Sequence, residues 1–176
     1  MSSQSFFHWF YRYQQQALML NERRLVVLSG AERWAQVLLK TIVQPSDDKH
    51  QYNKNTWLIY GDGEYIQSNL SKQQFRDKLG TESHFVVVNV NGQNNEALSV
   101  DALTALSGTL IAGGILFLVV NDLLLLKKSL FYQRFFRLLA TFSEHVVIEQ
   151  ENFSLPALPS KSIAPTPIAS ANTQQD

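Results

Sequence analysis

Arg23-Arg24-Leu25-Val26-Val27-Leu28-Ser29-Gly30 is the stretch on which the fold turns. Leu25 to Leu28 are four consecutive aliphatic residues with no polar alternation, the mark of a strand covered on both faces. Ser29-Gly30-Ala31-Glu32 follows at once with the Ser-x-x-Glu spacing of a helix capping box, and Trp34, Val37, Leu38 and Ile42 continue an apolar helical face towards Pro45. The segment is therefore a strand feeding a helix.

The same alternation extends in both directions. Upstream, Phe6, Phe10, Tyr13, Ala17 and Leu20 recur at steps of four and three, which places them on one face of a helix. Downstream, beyond a polar loop from Pro45 to Asn55, Trp57-Leu58-Ile59-Tyr60 reads as a second strand ending at Gly61-Asp62-Gly63. Ser71 to Leu79 reads as a short helix with Ser71 and Gln74 as a capping pair, and Phe85 to Val88 as a third strand. Ser99 to Leu106 is a short helix, Ile115 to Val120 a fourth strand, and Val146 to Ile148 a fifth. Between the last two, Phe131, Phe135, Leu138, Leu139 and Phe142 form an apolar helical stripe.

Continuous aliphatic strands separated by helices imply a mainly parallel sheet of about five strands, joined by right-handed crossovers with helices on both faces. The expected fold is a Rossmann-like three-layer α/β/α domain over residues 1–153, preceded by an aromatic helix within 1–21. From Ser154 onward the chain holds four of its five prolines among Ser, Ala, Thr and Gln, so 154–176 reads as a linker or disordered tail.

Composition narrows the function classes. With 176 residues and 45% hydrophobic content the chain can bury one sizeable core. Fifteen basic and fifteen acidic side chains cancel, so nothing concentrates a polyanion over the whole surface, and any nucleic-acid contact must be local. The absence of cysteine excludes disulfides and thiolate metal sites. No secretory signal is read at the start, and the apolar run Leu110 to Leu126 is broken by Gly113-Gly114 and Asn121-Asp122. A cytoplasmic protein with no membrane partner is the expectation.

Chemistry-bearing patterns are sparse. The turn after the first strand has neither the Gly-Lys-Ser/Thr of a P-loop nor a G-x-G-x-x-G fingerprint, and Glu32 there would repel a polyphosphate. Ser29 and Gly30 remain a candidate anion site, because a helix start offers free N–H groups and a positive dipole end. The alternative for that turn is a capped helix start and nothing more. Asp62 and Glu64 could face a divalent cation, yet no further ligand is set by spacing, so no metal site is expected. The four histidines are scattered, and Glu144 beside His145 suggests a surface hydrogen bond. No serine sits in a nucleophile elbow, and no catalytic residue is assigned. Lys127, Lys128, Arg134 and Arg137 form the one basic concentration, a candidate RNA contact or simply a solvated face. The aromatic cluster from Phe6 to Tyr13 could stack bases, but half of it lies on the apolar helix face, which favours packing.

Several ordered segments resemble the N-terminal domain of the bacterial tRNA(Met) cytidine acetyltransferases (TmcA). They are Arg23 to Gly30 with Trp34, Ala105 to Gly113 with Leu116 to Val119, the helix Phe131 to Leu139, and Phe153-Ser154-Leu155. The resemblance implies a non-catalytic domain of a larger enzyme that makes N4-acetylcytidine at the wobble position of elongator tRNA(Met), with acetyl-CoA and ATP used by modules outside this chain. It implies downstream helicase-like and acetyltransferase modules as partners, tRNA through that parent, and no cofactor in this chain. The alternative is a stand-alone α/β domain that binds a small anionic or nucleotide ligand at the strand carboxyl ends, near Ser29, Gly61 and Asn121.

Overall fold

The computed structural model describes residues 3–43, 57–61, 67–71, 74–90, 100–123 and 128–159. Helix α1 (Ser3–Leu20) leads into strand β1 (Arg24–Ser29), helix α2 (Glu32–Val43), strand β2 (Trp57–Tyr60) and strand β3 (Ser83–Asn89). Helix α3 (Val100–Ser107), strand β4 (Leu110–Val120), helix α4 (Leu130–Leu139) and strand β5 (Val146–Glu149) complete the order. The five strands form one parallel sheet in the order β2-β3-β4-β1-β5. The Rossmann-like three-layer arrangement expected from the alternation is the observed one.

Strand parity sorts the core into two layers. Val26, Leu28, Trp57, Ile59, Phe85, Val87, Ile115, Phe117, Val119, Val146 and Ile148 point to the face covered by α1 and α2. Their neighbours Val27, Val86, Val88, Leu116, Leu118 and Val120 point to the face covered by α3 and α4. On the first face, Phe10 sits 5.9 Å from Phe85 and 5.4 Å from Phe117, and Trp57 stacks on Phe85 at 4.4 Å. Phe6, Trp9, Phe10 and Tyr13 are all buried, so four aromatic residues of the first helix are committed to the core.

Close approach of α1 to the sheet depends on a glycine. Gly113 has φ +79°, and a Cβ on it would lie 2.3 Å from Leu18 Cδ2 and 3.0 Å from Leu18 Cα. Its amide donates to Glu22 O at 2.9 Å. The register of β3 against β4 jumps at this place, from Ser83↔Leu110 to Phe85↔Ile115, so the strand starts earlier than Ile115 and is kinked where the helix presses on it.

Below the amino ends of β1 and β5 lies a polar latch. Arg24 is fully buried, pairs with Glu22 at 2.8 Å, donates to Tyr13 O at 3.1 Å and stacks 4.8 Å over the Tyr13 ring. The Tyr13 hydroxyl donates to the Glu144 carbonyl, and burial raises its pKa. The Leu25 amide donates to His145 Nδ1 at 3.1 Å, so His145 ties β1 to the turn before β5, where a surface contact with Glu144 was expected. Nδ1 must be unprotonated to accept that bond.

Three elements depart from the sequence reading. The Ser71–Leu79 helix shrinks to a 3-10 turn, Arg76–Lys78, although the Ser71 amide does donate to Gln74 Oε1 at 3.1 Å. Strand β1 runs through Ser29 and α2 starts at Glu32 itself, so Glu32 is a first-turn residue and not the fourth position of a capping box. In α4 the buried residues are Tyr132 and Leu139 with Phe135 and Phe136 half-buried, whereas Phe131, Leu138 and Phe142 of the expected stripe are exposed. Burial pushes the Tyr132 phenol up to about 12. Residues 153–159 run extended over the α1/α2 face: Phe153, Leu155 and Leu158 pack on it, and Trp9 Nε1 donates to Pro156 O at 2.8 Å.

Gly113→Ala should destabilise the chain by about 2–4 kcal/mol, the sum of a strained positive φ and an overpacked contact, as read by urea denaturation. Gly80→Ala, with φ +84° but nothing within 4 Å, should cost only about 1 kcal/mol. Burial lowers the His145 pKa from 6.5, with Glu144 opposing, so below about pH 6.5 the unfolded chain takes up a proton that the folded chain refuses. Stability should therefore fall as pH drops from 7.5 to 5.5. In His145→Asn, whose amide oxygen can still accept, the fall should be shallower.

Candidate functional site

The sheet topology singles out one place. From β1 the chain crosses by α2 to the far edge at β2, and from β4 it crosses by α4 past β1 to the opposite edge at β5. The neighbouring strands β1 and β4 thus send their connections in opposite directions and to opposite faces, which defines the crevice where open α/β sheets hold ligands. Ser29 and Gly30 stand on one side of it, and Val120 and Asn121 on the other.

Two of the amides at this crevice, those of Gly30 and Ala31, are already engaged. Gly30 has φ +152°, its amide donates to Val120 O at 2.9 Å, and a Cβ on it would meet Gln150 Cβ at 2.5 Å. The Ala31 amide donates to Gln150 Oε1 at 2.7 Å, while the Gln150 amide donates back to Ser29 O at 2.8 Å. Residues following β5 thereby plug the β1 turn. The N–H groups of Gly30 and Ala31, which would face an anion at this turn, are spent on Val120 and Gln150.

Glu32 takes the next position. Its carboxylate accepts from Asn89 Nδ2, at the end of β3, at 3.1 Å and from Gln36 Nε2 one turn along α2. A carboxylate in the first turn is favoured by the helix dipole, and here it ties the start of α2 to the end of β3. Gly61, at φ +89°, lets the end of β2 pass so close to β3 that a Cβ would lie 2.3 Å from Asn89 O. The small cleft left between Gln36, Gly61 and Asn89 has room for about one water molecule. Among the described residues this turn does not fit ATP: it carries no lysine, its Gly30 and Ala31 amides are engaged within the protein, and an acid opens α2.

The other candidates separate in space. Lys128, Arg134 and Arg137 are exposed, with both arginines on the outer side of α4. Lys127 lies outside the described residues, as do Asp62 and Glu64. Among the described residues no group of three or more His, Asp or Glu side chains could hold a metal ion, and no helix is long and apolar enough to cross a membrane.

A family model described as tRNA(Met) cytidine acetyltransferase TmcA, N-terminal, matches residues 1–150. The chain belongs to that family. The matched region takes in every helix and strand of the fold, including the α1 helix. No curated protein matches the chain. The TmcA assignment puts the domain in the context of tRNA modification and acetyl transfer. Glu32, Asn89 and Gln150 went unassigned in the sequence because each belongs to a different βα unit; only the acid at Glu32, at odds with a phosphate turn, was a visible signal.

Glu32→Ala should lower stability by about 1–2 kcal/mol, since it removes two hydrogen bonds to a charged group and a favourable dipole contact. Chemical denaturation of the purified chain measures this, and a loss under 0.3 kcal/mol would show that the carboxylate is a bystander.

Proposed function

We propose that this chain is a non-catalytic N-terminal domain of a tRNA(Met) cytidine acetyltransferase. The parent enzyme, on this reading, forms N4-acetylcytidine at the wobble position of elongator tRNA(Met) in the cytoplasm. ATP and acetyl-CoA serve modules beyond this chain; the domain packs on the helicase-like module and helps to position tRNA. The observation that carries the non-catalytic role is the plugged crevice. In α/β domains that hold nucleotides, the first βα turn offers its amides to phosphate. Here Val120 and Gln150 take the Gly30 and Ala31 amides from within the protein, and the acid Glu32 opens the helix. A domain closed in this way acts through its surface.

An antibody against the purified chain, used on source-cell lysate, should detect a band several times heavier than 20.0 kDa. A band near that mass would refute the parent-enzyme reading. Purified alone, the chain should show no ATP hydrolysis and no change in melting temperature with ATP; turnover or a shift of several degrees would refute the non-catalytic role.

A further inference from the structure

Helix α4 has two apolar sides and only one is used. Tyr132 and Leu139 are buried against the sheet. On the opposite side Leu130 is 77% exposed and Leu138 62% exposed, eight residues apart on one ridge, with Arg134 midway between them. Phe131 and Phe142 flank the ridge at 39% and 49% exposure. Val147, on the same sheet face in the edge strand β5, is also exposed. Exposed Leu130 and Leu138 with part-exposed Phe131 on the helix and Phe142 in the turn after it mark an interaction surface.

Its charge has one sign. From Lys127 to Ser143 the sequence holds Lys127, Lys128, Arg134 and Arg137 and not one acidic residue, in a chain whose charges otherwise cancel. Arg134 and Arg137 form no ion pair among the described residues. We propose that the outer ridge of α4, Leu130-Arg134-Leu138 with Phe131 and Phe142, docks an acidic, apolar surface elsewhere in the same polypeptide. This rests on the reading of the chain as one domain of a longer enzyme.

Three physical points select that occupant. A second copy would set cationic ridge against cationic ridge with no acid to separate them, so a two-fold contact is disfavoured. Single-stranded RNA takes a basic groove with stacking aromatics, whereas the crest here is leucine. Free complexes bury ~800 Å² per partner, whereas this surface is one side of a 10-residue helix about 15 Å long. A tethered partner, at an effective concentration near millimolar, needs far less area.

The test uses the whole polypeptide expressed from its own gene, carrying Leu130→p-benzoylphenylalanine or Leu138→p-benzoylphenylalanine, with Val37→p-benzoylphenylalanine on α2 as control. Irradiation should join positions 130 and 138, but not 37, to a peptide of the same polypeptide beyond residue 176 that contains Asp or Glu. The pair Arg134→Glu and Arg137→Glu should cut the yield about fivefold, and Arg134→Lys with Arg137→Lys should retain most of it. Unchanged melting of the 176-residue chain would show that the charge reversal has not unfolded it. Cross-linking to tRNA, to a second copy, or at no more than the Val37 level would overturn the docking surface. A heavy immunoblot band with any of those results leaves the parent-enzyme reading standing; a band near 20.0 kDa overturns both.

Discussion

Strand β1 holds the structure together because it has no free side. It pairs with β4 on one edge and β5 on the other, and both of its faces are covered by helices. A strand so enclosed must satisfy every backbone group in the ladder, which explains its unbroken aliphatic middle. Both of its ends are tied down by distant residues. At the amino end, Tyr13, Glu22, Arg24 and His145 bring together α1, the approach to β1 and the turn before β5. At the carboxyl end, Gly30 and Ser29 are bonded to Val120 and Gln150.

These two ends divide stability from accessibility. The amino-end latch contains an arginine removed from water, tolerable because its guanidinium has a carboxylate, a carbonyl and an aromatic face as partners. The carboxyl end is where an α/β sheet ordinarily exposes its amides, and here the Ala31 amide is covered by Gln150. One short segment after β5 does this, so the last strand both completes the sheet and closes its crevice.

Helix α4 shows the same economy in reverse. Its inner side needs only Tyr132 and Leu139, with half-buried Phe135 and Phe136, to cover the sheet. Of the remaining apolar side chains, Leu130 and Leu138 stand mostly in solvent, while Phe131 packs its ring on Tyr132 and Phe135. In this domain one side of the helix meets solvent, beside the sheet edge at β5.

The βα alternation, the parallel sheet, the layer of aromatic packing from α1 and the lack of a phosphate-binding turn were all legible in the chain. Each follows from local composition: continuous aliphatic runs, the three-and-four spacing of Phe6, Phe10, Tyr13 and Ala17, and an acid at Glu32 where a lysine would be needed. Only the tertiary structure decided which side of α4 faces inward, since Phe131, Phe135, Leu138 and Phe142 satisfy a helical period as well as Tyr132, Phe136 and Leu139 do. It alone showed that His145 bonds to β1 and that Gln150 and Asn89 close the crevice around Glu32. Those contacts join residues 57 to 120 positions apart in the chain. Periodicity reports which side chains share a face; strand order decides which distant ends meet, and no local pattern encodes it.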